Sequence, residues 1–244
     1  MKKSLARVHR FLLVVMALVA LAMITSQFAK ANGVICGGGG NGCLNSNDNF
    51  DWELNFGDAF SDIPNDSYLI SSFIGFPGFL HFEGGGDGER VDEGFGWQGN
   101  FNRGDFLLWT KGHGPLTFYF NGVTAAGAFI QAHAPGPFTA LIQAYGFDGN
   151  LIESFSERGD SNGNEDGSAI YIGLDESRRG IGIGELTFSL TDANGDLADF
   201  AIGQLDVFIP FGDEGSPEPA SLVLLGTGLF GAAGIGRKRW GKRS

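Results

Sequence analysis

Cysteine and histidine are scarce in this chain of 244 residues, which has two of the first and four of the second. Cys36 and Cys43 are the only cysteines, and His81, His113 and His133 each stand alone. No His or further Cys sits at ligand spacing, so a zinc site is not expected. An HExxH run and a GxSxG elbow are both missing, which removes two framed hydrolytic sites. Carboxylate pairs for glycoside hydrolysis meet only in a fold, so that chemistry stays open. Positive charge is short as well. Residues 32–216 carry six basic against twenty-seven acidic side chains, a net charge of −21. Such a surface repels nucleic acid and anionic lipid, so nucleic acid is not expected as a partner. Between residues 50 and 211 no amphipathic helical stretch appears, which argues against a helical fold.

Glycine and phenylalanine are abundant, with 41 and 23 residues. Twenty of the phenylalanines fall within residues 32–216, enough for the interior of one domain of that length. Leu116, Phe118 and Phe120 alternate with Thr117, Tyr119 and Asn121; Leu186, Phe188 and Leu190 alternate with Thr187, Ser189 and Thr191. Ile170, Ile172 and Leu174 repeat the pattern. Period two with one apolar face predicts half-buried strands, separated here by turns dense in Gly, Asn and Asp. Near the end, Phe200 and Ile202 keep phase with Leu205, Val207 and Ile209 only if one residue is inserted at Gly203-Gln204, which predicts a β-bulge. The expectation is an all-β, jelly-roll-like β-sandwich over residues 50–212.

The two ends are different in kind. Lys2, Lys3, Arg7 and Arg10 precede a fourteen-residue apolar run at 11–24, and Ala29-Lys30-Ala31 offers small residues for cleavage before Asn32. This predicts a secretory signal peptide over residues 1–31, cut by signal peptidase. At the other end, residues 219–236 carry no charge. As a helix they would cover about 27 Å, close to the hydrocarbon thickness of a bilayer. Arg237, Lys238 and Arg239 follow, then Lys242 and Arg243, and basic residues beside a span stop transfer and favour the cytoplasmic side. A C-terminal transmembrane helix is expected, with a buried helix of the domain as the alternative.

Pro217-Glu218-Pro219, an apolar span and a short basic end resemble the PEP-CTERM sorting signal of exported bacterial proteins. The resemblance covers residues 217–244 and lies within an expected linker, span and tail at 213–244. It implies recognition of Pro217, Glu218 and Pro219 by exosortase, a membrane-embedded peptidase that removes the tail. Transient residence in the inner membrane and delivery to the cell surface or matrix of a polysaccharide-producing bacterium are also implied. The spacing of strands from residue 137 to 208 resembles the sandwich domains found ahead of such tails.

Residues 32–49 are rich in glycine and asparagine and read as a flexible leader. In an exported protein the default for Cys36 and Cys43 is a disulfide closing that loop. Asp160, Asn162, Asn164 and Asp166 alternate, as do Asp192, Asn194 and Asp196. Alternating oxygens suit calcium, and the same residues also form ordinary turns. Both loops lack the glycine at position six and the glutamate at position twelve of an EF-hand. His81 and Glu83 fall on one face of a strand. Trp97, flanked by glycines, is the tryptophan expected to be exposed and to stack on a sugar ring. No cofactor is expected. Three functions remain: a non-enzymatic surface or matrix protein associated with exopolysaccharide or biofilm, a carbohydrate-binding module with or without calcium, or a polysaccharide hydrolase.

Overall fold

The alternating patterns become strands in the computed structural model, which describes residues 33–36, 44 and 46–210. In chain order these are β1 (Gly33–Cys36), β2 (Asp48–Phe50), the short helix α1 (Trp52–Phe56), β3 (Asp62–Ile63), β4 (Ser67–Ile70), β5 (Pro77–Phe82), β6 (Gly88–Glu93), β7 (Gly96–Trp97) and β8 (Phe106–Trp109). The longer strands follow: β9 (Leu116–Val123), β10 (Ala125–Ala132), β11 (Gly136–Tyr145), β12 (Leu151–Ser161), β13 (Ile170–Asp175), β14 (Ile183–Asp192), β15 (Phe200–Ile202) and β16 (Leu205–Phe208). Two sheets form. One has six strands in the order β12-β11-β14-β9-β5-β4; the other has ten, running β1-β13-β10-β15-β8-β6-β3 with β2, β7 and β16 joined at its sides. All pairings are antiparallel except that of β6 with β7.

The sheets share one apolar core. Leu116, Phe118 and Phe120 of β9 meet Leu186, Phe188 and Leu190 of β14 and, from the larger sheet, Ala128, Ile172 and Leu205. Period two delivers this, since the odd positions Tyr119 and Asn121 are left exposed on the other side. Trp52 is fully buried against Phe118, and its indole N–H donates to the Gly203 carbonyl at 2.8 Å.

The phase change near Gly203 is a bulge of one residue. Ile202 opposes Ile130 and Asp206 opposes Gly127, so four steps on one strand face three on β10. Gly203 N–H closes the gap on the Phe129 carbonyl.

Within residues 32–49, read above as a leader, two stretches are strands. β1 pairs with β13, β2 pairs with β16, and Leu44 is buried against Ala125 and Tyr171. Ladder hydrogen bonds come from the backbone and are indifferent to side-chain polarity, so a polar segment can still complete an edge. Asn47 then holds Ile209 through two hydrogen bonds, of 2.7 and 2.8 Å. The expected signal peptide at 1–31, Cys43 and the segment 213–244, with Pro217, Glu218, Pro219, Arg237, Lys238 and Arg239, lie outside the described residues.

Candidate functional site

The outer face of the six-stranded sheet carries apolar side chains where a solvated face should be polar. Tyr68 on β4 opposes Phe79 on β5, Phe79 opposes Tyr119 on β9, and Tyr119 opposes Glu185 on β14. Glu185 in turn opposes Tyr145 on β11, which opposes Leu151 on β12. One row therefore crosses all six strands, spanning about 24 Å at the usual distance between neighbouring strands. Tyr68, Phe79 and Tyr119 are 54%, 50% and 40% exposed, too much for core residues. The Tyr68 and Phe79 rings meet edge to face at 5.2 Å.

Beside the aromatic row lies a polar one. His81 opposes Thr117, and Thr117 opposes Thr187. Thr117 Oγ1 donates to Glu83 Oε1 at 3.0 Å, which commits its proton, so it accepts from Thr187 Oγ1 at 2.9 Å. His81 Nδ1 is 2.7 Å from Asp66 Oδ1, and its Nε2 is 3.9 Å from Glu83 Oε2. His81 and Glu83 thus share a face as the sequence predicts. Burial, followed by the charge of Glu83, raises the pKa of Glu185. The Tyr119 hydroxyl is pushed up first by burial and then by Glu185, Glu83 and Asp66. Chemically, the face offers flat apolar rings with hydrogen-bond acceptors alongside, the complement of a sugar ring with its apolar face and its hydroxyl donors.

Trp97 is not on this face. It is 3% exposed, packed with Val91, Phe101 and Leu107, and flanked by Trp109 and His133 at 5.9 and 5.0 Å. The glycines that suggested an open loop are what let the chain close over the indole. A Cβ at Gly99 would stand 2.6 Å from Trp97 Nε1 and 2.1 Å from Gln131 Oε1. Trp109 is partly covered and donates to Asp199 Oδ2 at 2.7 Å.

The two acidic loops are built as turns. Asp192 Oδ1 accepts from the Asn194 and Asp196 amides at 2.8 and 3.0 Å, and Asp166 Oδ1 accepts from the Ser168 amide at 3.1 Å. Asn162 Oδ1 accepts from the Asn164 amide, and Asp160 lies in β12 opposite Pro137. Among the described residues no three His, Cys, Asp or Glu side chains gather at one point. Cys36 is the last residue of β1, and its expected partner is outside the described residues.

Residues 217–239 match the PEP-CTERM protein-sorting motif. The chain carries this sorting signal. No curated protein matches the chain. Among solved structures, it is similar to a DUF4465 family protein from Bacteroides caccae at 11% identity and TM-score 0.36, over 65% of this chain and 98% of that one. It is also similar to carbohydrate-binding modules of the β-sandwich superfamily, at 12% identity and TM-score 0.28, over 67% of this chain and 62% of theirs. A third is the CBM22-1–GH10 portion of Clostridium thermocellum endo-1,4-β-D-xylanase 10B complexed with xylohexaose, at 13% identity and TM-score 0.25 over 66% and 28%. Likenesses of this size carry no argument about function.

The residues that sequence reasoning missed are Tyr68, Phe79 and Tyr119. Tyr119 left a signal, an aromatic ring on the polar phase of β9. Tyr68 and Phe79 join it only through strand register.

Proposed function

We propose that the protein is exported behind a signal peptide at 1–31 and held in the inner membrane by a helix within 219–236. Exosortase then releases it to the cell surface or matrix, where its jelly-roll-like sandwich holds polysaccharide without cleaving it. The PEP-CTERM motif at 217–239 supports the route. The single observation that supports the contact is the exposed row Tyr68–Phe79–Tyr119, in register across three strands of a folded sheet. About half the surface of three large aromatic rings in one line is left in water, and that exposed part gives the fold no burial energy, so the row is explained by something it meets.

The experiment is affinity electrophoresis of the folded domain through gels containing the producer's own polysaccharide. Wild type should be retarded, and Phe79→Ala with Tyr119→Ala should migrate freely while still unfolding cooperatively, at a cost of about 1–2 kcal/mol from the lost cross-strand ring contacts. A chelator should leave the retardation unchanged, since the acidic loops are remote in the ladder from the row. Equal migration of wild type and variant in every gel would sink the binding claim. Release of reducing sugar by the wild type would replace it with the hydrolase reading.

A further inference from the structure

The aromatic row has one charged member. Glu185 stands between Tyr119 and Tyr145, in register with both, and is only partly exposed. Burial and the charge of Glu83 act on its carboxyl, and among the described residues no cation does. A half-buried carboxylate without a partner is costly, and the cost is relieved when a donor of positive charge arrives. Among the described side chains none is placed to supply one. Arg90, Arg103, Lys111 and Arg179 are paired with Asp92, Glu165, Glu89 and Glu176. Arg158 faces Thr139, six residues along β11 from Tyr145 and so about 20 Å from the row.

We infer that the row binds a glycan bearing protonated amines, an amino-sugar polymer with free amino groups, and that Glu185 is the counter-ion of the amine. This rests on the reading of the row as a glycan site and adds the class of glycan. The chemistry fits at three levels. An ammonium group donates up to three hydrogen bonds to carboxylate oxygens, and Glu185 is an acceptor with none of its own to give. The rings on either side offer negative π faces to the same cation. At longer range, Glu83 and Asp66, which contact Thr117 and His81 of the next row, add negative potential, which attracts an amine and repels uronate or sulfate groups.

Titration of the folded domain with three length-matched soluble probes tests this: a glucosamine oligomer, its fully N-acetylated counterpart and a polyuronate. The glucosamine oligomer should bind about tenfold more tightly than the N-acetylated one, the worth of one charge-assisted contact. Glu185→Gln keeps the shape and removes the charge. It should abolish that difference by bringing the glucosamine oligomer down to the affinity of the N-acetylated one, and added salt should narrow the gap in wild type. Equal affinity for the first two probes, untouched by Glu185→Gln, overturns the amine assignment and leaves the glycan site standing. Preference for the polyuronate overturns it too. Failure of all three probes, with the gels of the preceding section also negative, removes the site itself.

Discussion

Asp206 and Asp48 are both buried carboxylates, and their surroundings give them opposite pH behaviour. Asp206 sits at 3% exposure and takes one hydrogen bond, from the Tyr171 hydroxyl at 3.2 Å. Burial dominates, and its pKa is pushed up to about 6 from 3.8. The folded state therefore holds the proton more tightly than the unfolded chain does. Its contribution to stability is fully present below the unfolded value and is lost as pH rises from about 3.8 to about 6. Asp206→Asn should remove that loss, so at pH 7 the variant should be more stable by about 1–3 kcal/mol. Thermal melts from pH 4 to pH 7 would read it; a constant gap between variant and wild type would show that the carboxylate is not titrating in this window. For Asp48, burial again opposes ionisation, but donors from Ser71, Phe73, Asn49 and Ile74 outweigh it and lower the pKa below 3.8. Its stabilisation is present above the unfolded value and fades as pH falls through the folded one.

That same carboxylate shows how elements are tied together. Its oxygens take the Phe73 and Ile74 amides at 2.9 and 3.0 Å and the Ser71 hydroxyl, fastening the loop after β4 to β2. Asp48→Ala should strand these donors and cost about 2–4 kcal/mol, with loop amides exchanging far faster than those of β9. Unchanged protection of the Phe73 and Ile74 amides would mean that the loop is held by something else. β2 itself was illegible because Asp48 and Asn49 look like loop residues, and only a partner twenty-three or more residues away makes them buried ones. By contrast, β9 and β14 were readable, because their alternation is local and one face is fully apolar. The bulge at Gly203 was readable for the same reason, as a slip in phase. Trp97 misled because glycines mark both open loops and tight closures, and the sequence does not say which. The row across the six-stranded sheet depends on register between residues 68, 79, 119 and 185, which no local pattern encodes.

At the scale of the whole molecule, the sandwich closes where Asn47 holds Ile209, and the sorting motif follows at 217–239. From the sequence, Pro217 and Pro219 lack backbone donors and disfavour helix at the residues before them, so an extended Pro-Glu-Pro, the form a peptidase cleft accepts, is the expectation. The uncharged run at 219–236 is long enough to cross a bilayer as a helix of about 27 Å. Replacing Glu218 and Pro219 with alanine leaves both the N-terminal signal and that apolar run in place. Export should therefore continue, while the variant accumulates in the inner membrane with its C-terminal span uncut. Wild type should appear in the surface or matrix fraction, shorter by the mass of the span and its basic end. A plain anchor would hold both forms in the membrane uncut, so the two accounts differ in one measurable peptide. Mass spectrometry of the surface fraction should find no peptide ending at Ser244 in wild type. Finding it there, intact, would refute cleavage and with it the route by which this domain reaches any polysaccharide.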